Sequence, residues 1–120
     1  MKYLNKVMLI GNLTADPSPG QNTETPLATF VVATNRRWKD SKGQVQELAE
    51  YHNIACWGGL AEHALQMFRK SKLVYIEGHL KTRQWEKDGI KMYRTEIVAE
   101  SVIVLTKRPE EESALADAAA

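Results

Sequence analysis

Apolar and polar residues alternate along most of the chain, and this alternation predicts five β-strands. The strands cover residues 3–13, 27–36, 47–57, 72–85 and 91–106. The positions predicted to face a core are Val7, Leu9, Gly11 and Leu13, then Ala28, Phe30 and Val32, then Ile54 and Cys56, and finally Val74, Ile76, Gly78 and Leu80. Met8 and Ile10 make the opposite face of the first strand apolar as well. We therefore expect that strand to be covered on both sides.

A short helix is predicted between the third and fourth strands. Gly58-Gly59 ends the third strand, and apolar residues then recur at helical spacing over about residues 60–69. Loop and turn signals separate the strands at Asp16–Gly20, Lys42-Gly43 and Asp88-Gly89. The order of three strands, one helix and two strands is that of an OB-fold. The predicted fold is therefore all-β, a five-stranded Greek-key barrel with one short helix between strands 3 and 4.

Four large aromatic side chains fall outside the predicted core. Tyr51 and Trp57 lie on the face of the third strand opposite Ile54. Trp85 ends the fourth strand on its non-core face, and Trp38 follows the second strand. Cations lie near both of these tryptophans, and those assigned to phosphate binding are Arg36, Arg37, Lys39, Lys81, Arg83 and Lys87. Rings that stack on bases, beside cations that neutralise phosphates, are what single-stranded nucleic acid requires.

Two more ordinary interpretations remain open at this point. Each tryptophan could instead pack at the core or edge of a small β protein, and Lys81-Thr82-Arg83 could be a solvated strand face. Phe30 and Phe68 lie on core stripes and are assigned to the core. Tyr75 is interpreted as a packing or subunit-interface residue.

The net charge of +1 alone argues against a nucleic-acid ligand, but the charge is unevenly distributed. Residues 1–108 hold all 16 basic and 11 of the 15 acidic residues, a net charge of +5. Residues 109–120 hold the other four acidic residues, a net charge of −4. We therefore predict a binding domain over residues 1–107, followed at 108–120 by a short, acidic, Ala-rich and disordered tail.

Catalytic and metal-binding chemistry has little support in the sequence. Cys56 is the single cysteine, which excludes an internal disulfide and a cysteine-based zinc site. His52, His63 and His79 lack the spacing of metal ligands, and no nucleophile or phosphate-loop motif is present. His52 lies on the core side of its strand, so we expect it to be partly buried and hydrogen-bonded. The sequence predicts a protein that is not an enzyme and has neither cofactor nor metal.

No targeting or membrane segment is apparent near the start of the chain. The longest early apolar run, Val7–Ile10, has four residues. A signal peptide needs about 7–15 apolar residues and a membrane-spanning helix about 20. We expect a cytoplasmic protein that is not bound to a membrane.

From about residue 4 to residue 106 the sequence resembles the bacterial single-stranded DNA-binding protein family. The resemblance rests on blocks that keep the family's order and spacing. They are Asn5-Lys6-Val7, Gly11-Asn12-Leu13, Asp16-Pro17, Phe30-Val31-Val32-Ala33-Thr34, Trp38, Glu50-Tyr51-His52, Trp57-Gly58, Leu60-Ala61-Glu62, Val74-Tyr75-Ile76-Glu77-Gly78 and Lys81-Thr82-Arg83-Gln84-Trp85.

The resemblance implies a role for individual residues. In the family four aromatic positions stack on bases, and they correspond here to Trp38, Tyr51, Trp57 and Trp85. Tyr51 stands where the family often has Trp, and Trp57 stands where Phe is common. The family position of His52 lies at a subunit contact. The resemblance also implies a homotetramer that wraps single-stranded DNA, assembled in part through the first strand, and a nucleoid-associated role in bacterial replication, recombination and repair.

The end of the sequence departs from the family pattern. The family usually continues through a long linker to an acidic tip that ends in Pro-Phe and recruits replication and repair proteins, whereas this sequence ends in Ala118-Ala119-Ala120. Replication and repair proteins stay open as partners, although the sequence lacks the usual acidic Pro-Phe tip that recruits them. A dimeric primosomal protein of the same fold is the close alternative, and an OB-fold module for oligosaccharides or protein partners is the alternative from another class.

Overall fold

Five long strands close into a ring, with one helix inserted between the third and fourth of them. The computed structural model describes residues 2–105. Its elements are β1 (Val7–Leu13), β2 (Ser18–Pro19), β3 (Leu27–Lys39), β4 (Val45–Trp57), α1 (Gly59–Met67), β5 (Leu73–Lys87) and β6 (Ile90–Val104). β1 pairs with β5 and β3, β5 with β6, β3 with β4, and β4 with β6 through a short parallel contact. The predicted all-β barrel with one helix is confirmed.

Closure of the ring depends on β1, which changes partners along its length. Its first part pairs with β5, from Val7 opposite Gly78, and its end pairs with β3, where Leu13 lies opposite Val32. Gly11 lies where the two ladders meet, and a Cβ there would collide with the backbone oxygen of Ala33. A residue without a side chain is therefore required where β3 crosses β1.

The core fills the ring, and α1 covers one end of it. The buried residues are Leu13, Ala28, Phe30, Val32, Ile54, Ala55, Cys56, Ala61, Ala64, Phe68, Val74, Ile76, Ile97, Ala99 and Val102. Phe68 ends the helix, and its ring packs edge-on against Phe30 with centroids 5.3 Å apart. Gly58 is the N-cap residue that precedes the helix, and its φ of 65° is a left-handed conformation that a glycine adopts without strain.

The sheet departs from the predicted boundaries in two ways. The segment Asp16–Gly20, predicted as a loop, contains the two-residue strand β2, which pairs with β3. The β3–β4 and β5–β6 hairpins are also longer than predicted, since β3 continues to Lys39 and β5 to Lys87. The predicted tail, residues 108–120, lies outside the described residues.

Two predictions about burial are wrong for the single chain. Leu80, assigned to the core, is 49% exposed, because the β5–β6 hairpin leaves the barrel at this residue. The side chain of Asn5 pairs there with both backbone groups of Leu80, at 2.8 and 2.9 Å. Met8 and Ile10, expected to be covered, are 63% and 58% exposed. They face outward from β1, and nothing else in the described chain packs over them.

Gly78 provides a test of the close packing between strands. The register of the β5–β6 ladder shifts at a β-bulge between Glu77 and Gly78. A Cβ at Gly78 would collide with the carbonyl of Val98 on β6. We expect Gly78→Ala to lower the free energy of unfolding by about 2 kcal/mol or more, because a backbone atom cannot move aside cheaply. Urea unfolding followed by circular dichroism measures this change.

Gly59→Ala is the matched control. Gly59 is the first residue of α1, and a Cβ there meets open space. We expect that variant to be as stable as the parent or slightly more stable, since alanine favours helix. Equal stability of the two variants would contradict the steric argument.

Candidate nucleic-acid interface

Asp40 organises the tip of the β3–β4 hairpin. Its Oδ1 accepts hydrogen bonds from the backbone N–H groups of Gln44 and Lys42, both at 2.9 Å. Its Oδ2 accepts a hydrogen bond from Nε2 of Gln46 at 3.0 Å. The backbone hydrogen bond from Gln44, and then the side-chain bond from Gln46, hold the pKa of Asp40 below its usual value of 3.8. The hairpin therefore has a defined turn, and this turn fixes the strand ends that hold Trp38.

Trp38 lies within β3, opposite Gln46 of β4, rather than beyond the strand as predicted. It shares strand parity with the core residues Phe30 and Val32, but the hairpin has left the barrel by this point, so its ring is 38% exposed. The guanidinium carbon of Arg36 lies 5.1 Å from the ring centroid. Such a contact adds a cation to the aromatic surface and restrains the arginine.

Tyr51 and Trp57 occupy the other face of β4, and they are 65% and 43% exposed. Asn53 and Ala55 lie between them on that face. Alternation along the strand places Ala55 on the same outward face, yet Ala55 is buried, because Thr29 on β3 and Val98 on β6 flank it. The outward face of β4 thus consists of two exposed rings separated by a half-buried amide and a buried methyl group.

The β5–β6 hairpin carries Trp85, which is 41% exposed. The guanidinium carbon of Arg83 lies 5.8 Å from the Trp85 ring centroid. Arg83 also forms an ion pair with Glu96, at 3.0 Å from Nε to Oε1, and the Glu96 side chain is only 12% exposed. The position of Arg83 is thus held by the ring and the carboxylate together, and part of its charge is already compensated.

Two adjoining cavities connect these elements. The first, here called the Trp57 cavity, has a volume of about 300 Å³ and is lined by Thr23, Leu27, Thr29, Ala55, Trp57, Arg83 and Glu96. The second, the Arg94 cavity, has a volume of about 320 Å³ and is lined by Thr14, Ala15, Asp16, Ser18, Thr29, Phe30, Val31, Asn53, Ile54, Arg83, Arg94 and Glu96. Thr29, Arg83 and Glu96 line both, so the surface is continuous from Trp57 on β4 to Arg83 on β5.

The predicted site residues are therefore distributed over two regions. The cavities bring Trp57 and Arg83 together, and Arg83 contacts Trp85. Trp38 lies on the separate β3–β4 hairpin, on the opposite ladder face from Tyr51. All the predicted phosphate-binding side chains are exposed, namely Arg36, Arg37, Lys39, Lys81, Arg83 and Lys87.

Sequence reasoning missed two residues of this surface, Arg94 and Asn53. Nη2 of Arg94 donates a hydrogen bond to Oδ1 of Asn53 at 2.7 Å, across the contact between β6 and β4. Arg94 lies opposite Arg83 in the β5–β6 ladder. Strand alternation was the sequence signal that could have indicated Arg94, because it places Arg94 on the same face of β6 as Glu96.

His52 and Tyr75 line neither of the two cavities. His52 is half-buried and its Nε2 lies 2.9 Å from Oγ1 of Thr34, as expected from its core-side parity. Tyr75 is half-buried on the outer face of β5, in register with Ile10 on β1 and Ile103 on β6. Met8, Ile10, Tyr75 and Ile103 form what we call the outer apolar patch.

The acidic, histidine and cysteine side chains of the described residues can be compared with the needs of metal and thiol chemistry. Within residues 2–105, no group of three or more His, Cys, Asp or Glu side chains is arranged to hold a metal ion. Cys56 is buried in the core, and burial raises the pKa of its thiol to about 12. A thiol acts as a nucleophile through its thiolate, which is scarce at neutral pH in this environment. The helix of the described chain, nine residues long, is too short to span a membrane.

Comparison with known proteins identifies the family. Residues 4–105 match the sequence model of the single-strand binding protein family. The chain belongs to the single-strand binding protein family. Proteins of this family are non-catalytic and bind DNA.

Individual relatives agree with that assignment. The single-stranded DNA-binding protein 1 of Chlorobaculum tepidum is 45% identical over 105 residues, and the match covers 85% of this chain and 65% of the relative. The protein of the same name from Xylella fastidiosa is 42% identical over 111 residues, covering 90% of this chain and 82% of the relative. The solved structure of the Plasmodium falciparum single-strand binding protein in complex with single-stranded DNA has a TM-score of 0.80 and 30% identity. That match covers 88% of this chain and 98% of the other.

The burial of Cys56 leads to a test of the core. We expect a thiol reagent at pH 8 to modify the folded protein far more slowly than the protein in denaturant, because the folded thiol is both protonated and inaccessible. Absorbance of the released chromophore of a disulfide reagent measures the rate. Rapid modification without denaturant would show that the core around Cys56 opens readily.

Proposed function

We propose that this protein coats single-stranded DNA during bacterial replication, recombination and repair, without catalysis and with little selectivity for base. The observation that carries the proposal is the exposed aromatic surface. Its four rings are Trp38, Tyr51, Trp57 and Trp85, which are 38%, 65%, 43% and 41% exposed. The family resemblance implies base stacking at these positions. Two of the four rings have an arginine guanidinium within 6 Å, at 5.1 and 5.8 Å from the ring centroids. The proposed place of action is the bacterial cytoplasm, at the nucleoid.

Stacking and charge neutralisation supply the binding energy in this mechanism. An unpaired base has a flat π face whatever its identity, and stacking on an aromatic side chain contributes about 1–3 kcal/mol. Tyr51 offers a smaller ring than tryptophan and is expected to contribute less. Cations beside the rings neutralise phosphates and release counterions, which makes affinity fall as salt rises.

The arginine contacts prepare the surface before DNA arrives. Arg36 lies over Trp38 and Arg83 lies over Trp85, so ring and charge are already in place. The side chain of Arg83 is held further by Glu96. Restraint of this kind lowers the entropy lost on binding. The remaining phosphate contacts are assigned to exposed cations of the two hairpins, whose flexible side chains adapt to a variable strand. They are Arg37, Lys39, Lys81 and Lys87.

We also propose that the chain assembles as a homotetramer, with His52 and Tyr75 at subunit contacts. The support is the outer apolar patch, where Met8, Ile10 and Ile103 are 63%, 58% and 49% exposed. Met8 and Ile10 lie on β1 and Ile103 lies on β6. Tyr75, on β5 between them, is in register with both Ile10 and Ile103, so the patch is continuous across the three strands. Exposed contiguous apolar area of this kind marks an interaction surface.

Tryptophan substitution tests the binding mechanism. We expect Trp38→Ala, Trp57→Ala and Trp85→Ala each to weaken binding of poly(dT), by roughly five- to a hundredfold, because each removes one stacking ring. Titration of intrinsic tryptophan fluorescence at several salt concentrations measures the affinity and its salt dependence. The parent protein should show strong quenching that weakens steeply with salt.

Phe68→Ala is the control for that experiment. Phe68 is fully buried, so its truncation should cost about 3–5 kcal/mol of stability while leaving the surface rings in place. Unchanged affinity in all three tryptophan variants, or quenching that does not depend on salt, would contradict stacking on a charged strand.

Ile10→Glu tests the assembly. A carboxylate in the outer apolar patch would have to be desolvated at a subunit contact, so we expect the variant to dissociate into smaller species and remain folded. Sedimentation or light scattering gives the mass. Val45→Glu, which changes a 56% exposed residue on the β3–β4 hairpin, is the matched control and should keep the parent's mass. A parent that is monomeric or dimeric would overturn the tetramer.

A further inference from the structure

The Arg94 cavity contains hydrogen-bonding groups that the stacking mechanism does not use. Arg94 can only donate hydrogen bonds, so the Asn53 atom that it contacts must be the amide oxygen. The amide nitrogen, Nδ2, therefore carries two N–H groups that can donate. Among residues 2–105, neither group donates a hydrogen bond to an acceptor. Asn53 lines the cavity, so those donors are available to a ligand there.

The charges around the cavity are compensated unequally. Glu96 is paired with Arg83, and Oδ1 of Asp16 accepts the backbone N–H of Lys70 at 2.8 Å. Within the described chain, Arg94 has no carboxylate within ion-pair distance, and its contact with Asn53 is to a neutral group. Its remaining guanidinium donors suit a phosphate oxygen. The Asp16 carboxylate disfavours a phosphate on its own side of the cavity, which leaves the Arg94 side for the backbone of a strand.

The cavity also has a suitable size and place. Its volume of about 320 Å³ is within the range of small-molecule sites. It adjoins the Trp57 cavity through Thr29, Arg83 and Glu96. A strand whose base stacks on Trp57 and which continues across β6 therefore passes over this cavity.

We infer that the Arg94 cavity is a subsite for one nucleotide of the bound strand, in which Arg94 contacts the phosphate and Nδ2 of Asn53 donates to a base carbonyl oxygen. This inference rests on the proposed function. Thymine has two carbonyl oxygens and no exocyclic amine, whereas adenine has an exocyclic amine and no carbonyl. The subsite therefore favours thymine over adenine, by hydrogen bonding rather than by stacking.

Asn53→Asp tests the base contact. The variant keeps the size of the side chain and an oxygen acceptor for Arg94, but it loses the two donors of Nδ2. We expect the preference of the assembled protein for homothymidine over homoadenosine oligonucleotides of equal length to fall by about three- to tenfold. The added negative charge should weaken both complexes, so the ratio of the two dissociation constants is the quantity to compare.

Asn35→Asp is the matched control for the added charge. Asn35 is exposed on β3, outside the Arg94 cavity, and the same substitution there should weaken both oligonucleotides by the same factor. An unchanged ratio in Asn53→Asp, in a protein whose parent binds poly(dT), overturns the subsite and leaves the proposed function intact. A parent that does not bind poly(dT) overturns the proposed function itself.

Arg94→Gln tests the phosphate contact. Loss of one phosphate contact should reduce the slope of log affinity against log salt by about 0.7, for both oligonucleotides alike. Lys42→Gln, at the tip of the β3–β4 hairpin, removes the same charge outside the cavity and should change the slope less. Equal slopes in Arg94→Gln and the parent overturn the phosphate contact.

A spectroscopic measurement on the parent sequence covers the case in which a variant folds poorly. The side-chain amide resonances of Asn53, identified with ¹⁵N labelling, should shift when homothymidine is added and shift less with homoadenosine. Resonances that do not move with either oligonucleotide at saturation overturn the base contact.

Discussion

The close approach of backbone to backbone where β1 crosses the sheet is the constraint on which the rest of the structure depends. β1 must pair with β5 and then with β3 for the ring to close, and at Gly11 the carbonyl of Ala33 occupies the space of a side chain. This second pairing joins β1, at one end of the sheet order, to β3 and so completes the ring. It also fixes where the two hairpins leave the ring, and these hairpins carry Trp38 and Trp85.

Separation of core and surface follows from that closure. Inside the ring, strand alternation sorts apolar from polar residues, so Phe30, Ile54 and Ile76 are buried as their positions predict. Beyond the ring the same strands have no core to face, and both faces of a hairpin are exposed. Large aromatic side chains in those extensions remain available to a ligand, at the cost of apolar surface left in water.

The strands, the helix and the barrel order could be predicted from the sequence because local periodicity and turn residues encode them. The errors share one physical origin, since alternation carries no information on where the barrel ends or which strands meet. Leu80 has core parity but lies beyond the ring, and Ala55 has surface parity but is enclosed by its neighbours. The Arg94–Asn53 hydrogen bond joins residues 41 positions apart across a parallel contact, which no local pattern reveals.

Charge pairing distinguishes the arginines of the interface in a way that a count of cations does not. Arg83 and Arg94 face each other across the β5–β6 ladder, yet Glu96 compensates the first and only a neutral amide contacts the second. The ion pair with Glu96 weakens the attraction of Arg83 for a phosphate, while Arg83 keeps its contact with the Trp85 ring. Of the two arginines that line the cavities in the described chain, Arg94 is therefore the one without a carboxylate partner, and net charge alone gives no indication of this difference.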